Sequence, residues 1–412
     1  MPLVTPLVGG GTGRPKFVTT VAPSLSGGGH VGEEITCNHG SYTPTPDNYL
    51  YQWLADGLPI SGEDEDTFTP GEEYEGAEIS CLVYPQSLIS GRAVATESDV
   101  ITVLHGAVWT ARAGGATSQW NKVASNGLGV LVAIANSGTN GNRTMRSTDG
   151  GQTWAPVAAA SASNWQSVCY GNGRFVACGT SPSGAQNTDI MFSTDQGLTW
   201  THATTTPNNN GHMDVVYGGG NFVVVSLNGT GNRSMYSTDG GVTWTDSTGA
   251  PDNIWNAVAF GNGVFVAVAE SGTNRTMRST DGGATWTAVA AAFASKWVKI
   301  AYGNGRFVAV AIEALVANAI MVSDDLGLTW AKKTAPAAND WRGIAYGAAT
   351  WVAVSATGTG NRVMTSVDNG DTWVSHNAAN DYNWQDVCWD ATAELFCAVA
   401  NSAQANCAMT AP

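Results

Sequence analysis

The octapeptide STDGGVTW, Ser237–Trp244, has five near copies in the chain. They are STDGGQTW (Ser147–Trp154), STDQGLTW (Ser193–Trp200), STDGGATW (Ser279–Trp286), SDDLGLTW (Ser323–Trp330) and SVDNGDTW (Ser366–Trp373). Their aspartates, Asp149, Asp195, Asp239, Asp281, Asp325 and Asp368, follow one another at steps of 46, 44, 42, 44 and 43 residues. A period in that range belongs to stacked or radially arranged repeats, and it decides the fold before any local reading.

Working outward, a methionine stands two residues before every starting serine: Met145, Met191, Met235, Met277, Met321 and Met364. Met409 is a seventh, with no octapeptide after it. Upstream lies a second pattern, WQSVCYGNGRFVAC from Trp165, WNAVAFGNGVFVAV from Trp255 and WVKIAYGNGRFVAV from Trp297, with weaker copies from Trp120, His212, Trp341 and Trp384. Each unit reads as four strands: a hairpin around Gly-Asn-Gly, a third strand ending in the octapeptide, and a fourth leaving it. A short Asp in a Gly-containing turn accepts nearby backbone N–H groups, and the Trp after it anchors the departing strand. The six aspartates therefore read as structural clamps. The seventh unit lacks a fourth strand, while AVWTARAGG (Ala107–Gly115) resembles one and precedes the first unit. Pairing the two closes the ring and removes an exposed edge.

Composition agrees with an all-β chain: 50 glycines in 412 residues, and only 12% charged. Residues 1–105 carry 14 acids against 3 bases, a net charge of −11, and residues 106–412 a net −4. Neither part has the basic footprint of a nucleic-acid binder. No run is apolar for the roughly 18 residues a membrane helix requires. The arm MPLVTPLVGGGTGRPKF lacks the charged and apolar regions of a signal peptide, so none is expected.

The pattern S-x-D-x-G-x-T-W resembles the Asp-box, or BNR repeat, of sialidases and many non-enzymatic propellers. The resemblance implies a seven-bladed β-propeller over residues 106–412, with the Asp-box turns on the face opposite the functional one. Sialidase chemistry requires three convergent arginines and a Tyr–Glu nucleophile pair. Here Arg143, Arg233, Arg275 and Arg362 all stand two residues before an aligned Met, as repeat positions, and glutamates are scarce. No catalytic residues, metal ligands or cofactor are expected, and the chain reads as a non-enzyme. The acidic runs GEDEDTF and GEEYEG read as a solvated loop, with calcium binding as the alternative.

Residues 17–105 differ. Cys37, Trp53 and Cys81, 16 and 28 residues apart in β-rich segments, resemble an immunoglobulin-like sandwich of the kind found in phage structural and bacterial surface proteins. The resemblance implies a candidate Cys37–Cys81 disulfide, against which stand two buried thiols. Cys169 with Cys178, and Cys388 with Cys397, read as small buried side chains or as cross-strand disulfides.

The loops between second and third strands, such as NSGTNGNR and LNGTGNR, are rich in Asn, Thr, Ser and Gly. They share a side with the lead-ins to Trp120, Trp165, His212, Trp255, Trp297, Trp341 and Trp384. With Arg143, Arg233, Arg275 and Arg362 these form a candidate ligand face, suited to neutral sugars. The alternative is polar loops without a ligand and Trp packed between blades. An Ig-like module before a propeller resembles a bacteriophage virion protein: a head decoration, spike or tail-associated appendage. Capsid or tail proteins would be its partners and host-surface glycans its candidate ligand; no nucleic acid or membrane partner is expected, and a homo-oligomer is left open. A bacterial surface glycan-binding adhesin is the alternative, and a divergent sialidase-like hydrolase the third reading. The irregular arm, residues 1–16, favours docking through the N-terminal part.

Overall fold

The computed structural model describes residues 17–27, 34–74, 77–87, 91–92, 94–102, 109–116, 118–138, 143–180, 189–208, 210–312, 319–402 and 406–412. It divides into two compact units, Met1–Val108 and Trp109–Pro412. The arm of residues 1–16 lies outside the described residues.

In the first unit, Ser24–Gly27, Ile35–Asn38 and Thr67–Phe68 form one sheet. A second sheet is centred on Asn48–Ala55 and Glu78–Ser87. Ile35, Cys37 and Phe68 from the first share one buried cluster with Trp53, Ile79, Cys81 and Val83 from the second. Trp53 stands opposite Cys81 in the ladder, and its indole donates to the Glu65 carbonyl at 3.0 Å. Cys37 and Cys81 are buried free thiols in hydrogen-bonding contact; that bond raises the Cys37 pKa and lowers that of Cys81. The two cysteines of the expected pair are thus adjacent across the core.

Among the described residues, the second unit forms seven four-stranded antiparallel sheets. Their inner strands are Trp120–Ser125, Asn164–Gly171, His212–Gly218, Trp255–Gly261, Lys296–Gly303, Trp341–Gly347 and Trp384–Asp390, numbered here as sheets one to seven. Each inner strand packs beside the next, and the seventh beside the first, so the ring closes. Asn172, Asn262 and Asn304 adopt φ of 49°, 45° and 45°, each followed by a Gly at positive φ, the primed turn that matches hairpin twist. Thr110–Arg112 supplies the outer strand of sheet seven, with Ala111 opposite Met409.

Two repeated notches lock neighbouring sheets. The glycine ending an inner strand (Gly171, Gly218, Gly261, Gly303 or Gly347) leaves room for the aromatic ring of the following sheet, respectively Tyr217, Phe260, Tyr302, Tyr346 and Trp389. A Cβ at any of them would overlap that ring. On the other face, the octapeptide glycines Gly197, Gly241, Gly283 and Gly327 sit against Val132, Val176, Val223 and Val266 of the preceding sheet. The seam between sheets seven and one departs from the first rule. Asp390 takes the glycine position and Ser125 the aromatic one, and the Ser125 hydroxyl donates to the buried Asp390 carboxylate. Gly129 N–H donates to the same oxygen at 3.0 Å, and the N–H groups of Thr392 and Ala393 donate to the other.

The octapeptide turns share one bonding scheme. In the third copy Asp239 Oδ1 accepts from the Ser237 hydroxyl at 2.8 Å and from the Thr243 N–H at 2.9 Å, while Oδ2 accepts from the Thr243 hydroxyl at 2.6 Å. The same three bonds recur at Asp149, Asp195, Asp281, Asp325 and Asp368. Desolvation acts to raise each carboxyl, but the bonds from Thr and Ser outweigh it and the pKa values fall. Their stabilisation is present above the unfolded carboxyl range and is lost as pH falls through the lower folded values.

The equal cysteine offsets give unequal registers. Cys388 stands directly opposite Cys397, but Cys169 faces Val176 and Cys178 faces Ser167. In sheet seven the hairpin closes at Asp390 and Leu395, in sheet two at Gly171 and Arg174, so the longer loop shifts the pairing. All four are free thiols, and burial pushes up the pKa values of Cys169, Cys178 and Cys388.

Candidate functional site

Every inner strand carries a register shift immediately after its aligned Trp, or after His212 in sheet three. A bulge adds one unpaired residue and re-aims its side chain. The seven residues so placed are Asn121, Gln166, Met213, Asn256, Val298, Arg342 and Gln385, and all seven line one cavity of about 220 Å³. One residue from every sheet puts this cavity on the ring axis. Glu270 and Ile312, at the ends of second strands, join the lining. The mouth therefore opens on the side away from the octapeptide turns, which lie between third and fourth strands.

Four of the seven are carboxamides. Asn121 Nδ2 donates to Gln166 Oε1 at 2.8 Å, linking sheets one and two. Asn256 Nδ2 donates to Glu270 Oε2 at 3.1 Å and to the Trp297 carbonyl at 2.9 Å, linking sheets four and five. Gln385 Nε2 donates to Asn383 Oδ1 at 2.8 Å. Arg342 is held more loosely: its Nη2 lies 4.0 Å from Asp340 Oδ2, and its Nε has no partner.

One step further along each inner strand come Lys122, Ser167, Asp214, Ala257, Lys299, Gly343 and Asp386. Lys299 Nζ lies 3.2 Å from Asp386 Oδ1, and Lys122 Nζ 3.8 Å from the same oxygen. Asp214 accepts from the Ser167 hydroxyl and, at 3.0 Å, from Val258 N–H; Asp386 accepts from Val123 N–H at 3.3 Å. A Cβ on Gly343 would come 2.7 Å from the Asp386 Cα, so glycine there lets sheet seven approach. Burial pushes Lys122 down to about 8; Asp386 offsets part of this and the Lys299 ammonium adds to it. Burial acts on Lys299 in the same sense, but Asp386 and Asp214 outweigh it and hold its pKa above the usual lysine value.

The expected ligand face is corrected in two respects. Trp120, Trp165, Trp255, Trp297, Trp341 and Trp384 are each 0% exposed, as is His212. Trp120, Trp165, Trp255, Trp297 and Trp341 pack in clusters shared between neighbouring sheets, and none of the seven presents a ring to a sugar. His212 is held between Ser226 Oγ at 2.9 Å from Nδ1 and Asp189 Oδ2 at 3.0 Å from Nε2. The four arginines are staples. Arg233 donates to the carbonyls of Leu227, Gly229 and Asn253, Arg275 to those of Glu270, Gly272 and Ser295, and Arg362 to those of Ala356, Gly358 and Tyr382. Arg143 likewise donates to Gly138 and Ser163. Each ties its own loop to the lead-in of the next sheet, so these guanidiniums are committed to the backbone and do not converge.

Parts of the candidate loops, residues 139–142, 181–188 and 403–405, lie outside the described residues. Among the described residues no three metal-ligating side chains converge. Each mouth-lining residue follows an aligned Trp, or His212 in sheet three, and varies from repeat to repeat, so the repeat pattern does not mark it. The signal available in the sequence is that variation beside a position that is Trp in six repeats and His212 in the other.

The BNR/Asp-box repeat family matches residues 145–156 and 235–246. No curated protein matches the chain. Among solved structures, YCF48 bound to D1 peptide aligns with a TM-score of 0.56 at 16% identity, covering 74% of this chain and 94% of that one. YCF48 from Cyanidioschyzon merolae aligns with a TM-score of 0.54 at 15% identity, covering 74% and 98%. The second unit is a β-propeller with Asp-box repeats.

Proposed function

We propose that the protein is a non-enzymatic bacteriophage virion structural protein. In this reading residues 17–105 are an Ig-like sandwich, and residues 106–412 a seven-bladed propeller. The arm and the Ig-like module dock on capsid or tail proteins, and the propeller projects. The Trp53 indole packed with Cys37 and Cys81 supports the Ig-like assignment. The display role rests on the channel mouth, where one bulged side chain per sheet, four of them carboxamides, lines a single cavity. Such amides offer donors and acceptors at fixed positions on a rigid frame, which suits a hydroxyl-rich ligand such as the end of a host-surface glycan. A peptide is the second reading, favoured by the similar propeller YCF48, whose structure is bound to D1 peptide.

The test is binding of the full-length protein to a panel of host-surface polysaccharides. Replacing Gln166 and Gln385 together with Ala is expected to weaken binding about tenfold or more, since each lost hydrogen bond contributes about 1 kcal/mol. Asp239→Ala should lower stability by about 1–2 kcal/mol, moderated by the exposure of its carboxylate, while binding persists. Loss of binding in Asp239→Ala at unchanged stability, with the mouth variants unaffected, would move recognition to the Asp-box face.

A further inference from the structure

We propose that Lys122 is a nucleophilic amine on the floor of the channel-mouth cavity, set to condense with small hydroxylated aldehydes. Lys122 lines the cavity, and its side chain keeps 11% exposure. Lys299, its neighbour, keeps 16% exposure outside that lining, so its closer contact with Asp386, and not deeper burial, is what sets the two amines apart. The carboxylate nearest Lys122 is Asp386, at 3.8 Å, beyond a direct hydrogen bond. The same oxygen lies 3.2 Å from Lys299, which is its closer partner. The charged groups facing Lys122 are therefore Asp386 from sheet seven, Lys299 from sheet five and Asp214 from sheet three. Asp214 is already bonded to Ser167 and Val258, and Glu270 and Arg342 stand at the rim.

A desolvated lysine beside a second ammonium favours its neutral form, and the neutral amine is the nucleophile. Burial, with Lys299 adding to it, brings Lys122 down to about 8. A purely structural ion pair would instead keep its nitrogen protonated against a carboxylate. In the reaction the Nζ lone pair attacks the carbonyl carbon and the C=O π pair moves to oxygen. The resulting carbinolamine expels that oxygen as water, which carries off both amine protons, leaving a C=N bond. No oxidant or reductant is consumed. A cavity of about 220 Å³ admits a few-carbon aldehyde, and Asn121, Gln166 and Gln385 beside Lys122 are placed to bond its hydroxyl groups. This inference does not depend on glycan binding at the mouth.

The test is treatment of the full-length protein with glycolaldehyde and cyanoborohydride, which fixes an imine as a secondary amine, followed by peptide mapping of the lysines. At pH 8 an ordinary lysine is neutral to less than about 1%, whereas a group at its own pKa is half neutral. Allowing for partial occlusion, Lys122 is expected to react about tenfold or more faster than Lys332 and Lys333, with a midpoint near pH 8. Propionaldehyde should react more slowly than glycolaldehyde at Lys122 alone. Lys299→Met should reduce Lys122 labelling at pH 8 about tenfold, because Asp386 then pairs with Lys122. If that variant does not fold, the pH profile of the unmodified protein decides. Labelling of Lys122 no faster than Lys332, or a rate that climbs without a midpoint below about pH 10, overturns the proposal.

Discussion

Deleting residues 109–112 from the otherwise intact chain is expected to lower propeller stability by more than about 4 kcal/mol, or to leave it aggregated. The segment closes sheet seven through Thr110–Arg112, paired with Ala408–Thr410, and Arg112 Nε donates to Thr410 Oγ1 at 2.8 Å. It also carries Trp109, which is 5% exposed, and losing a buried Trp alone costs about 3–5 kcal/mol. Without it, Ala408–Ala411 becomes an unpaired edge beside the apolar second strand of its sheet. The seam itself should be nearly as sensitive. Asp390→Ala leaves the Ser125 hydroxyl and the N–H groups of Gly129, Thr392 and Ala393 short of an acceptor, at a cost of about 2–4 kcal/mol. Installing the repeat rule there, Asp390→Gly with Ser125→Tyr, should recover part of that loss. Thermal or urea unfolding checks both. A deletion variant that melts like the parent would refute closure by this strand.

The second large effect is expected in the channel. Lys299→Met should destabilise the protein by about 2 kcal/mol, because Asp386 loses its partner at 3.2 Å and must re-pair with the more distant Lys122 in a buried setting. Lys122→Met should cost less than about 1 kcal/mol, because its charge is already disfavoured where it stands. The pH dependence separates the two further. Between about 8 and the unfolded lysine value of about 10.4, the unfolded chain holds a proton at residue 122 that the folded chain has released. Stability of the parent relative to Lys122→Met therefore rises with pH across that window. Equal losses from the two substitutions, or a relative stability that falls over this range, would show that Asp386 is shared evenly.

The 42- to 46-residue period made the propeller legible, because each unit must repeat the same turn and the same wedge to pack on its neighbour. The closing strand was legible for a related reason: a Trp without an octapeptide stood before the first unit, and an octapeptide was missing after the last. The site was less so. Trp165 and its counterparts carry the composition of a sugar platform, yet the same side chain also serves as inter-sheet filling, and burial alone distinguishes the two. Arg233 and its counterparts read as free cations until their backbone partners are seen. The lining of the mouth depended on a one-residue bulge, which sequence periodicity does not mark. Asp390 and Ser125 look like lapses from the repeat when read singly; as neighbours across the seam they replace an aromatic wedge with a hydrogen-bonded pair.

The most direct test of the proposed virion role is quantitative mass spectrometry of washed, intact phage particles from cultures that produce the chain, read beside the envelope of the same cells. The account predicts this chain in the particles at a fixed ratio to the capsid or tail protein that carries it. Its absence from particles, with recovery in the host envelope instead, would contradict that reading and favour a surface adhesin.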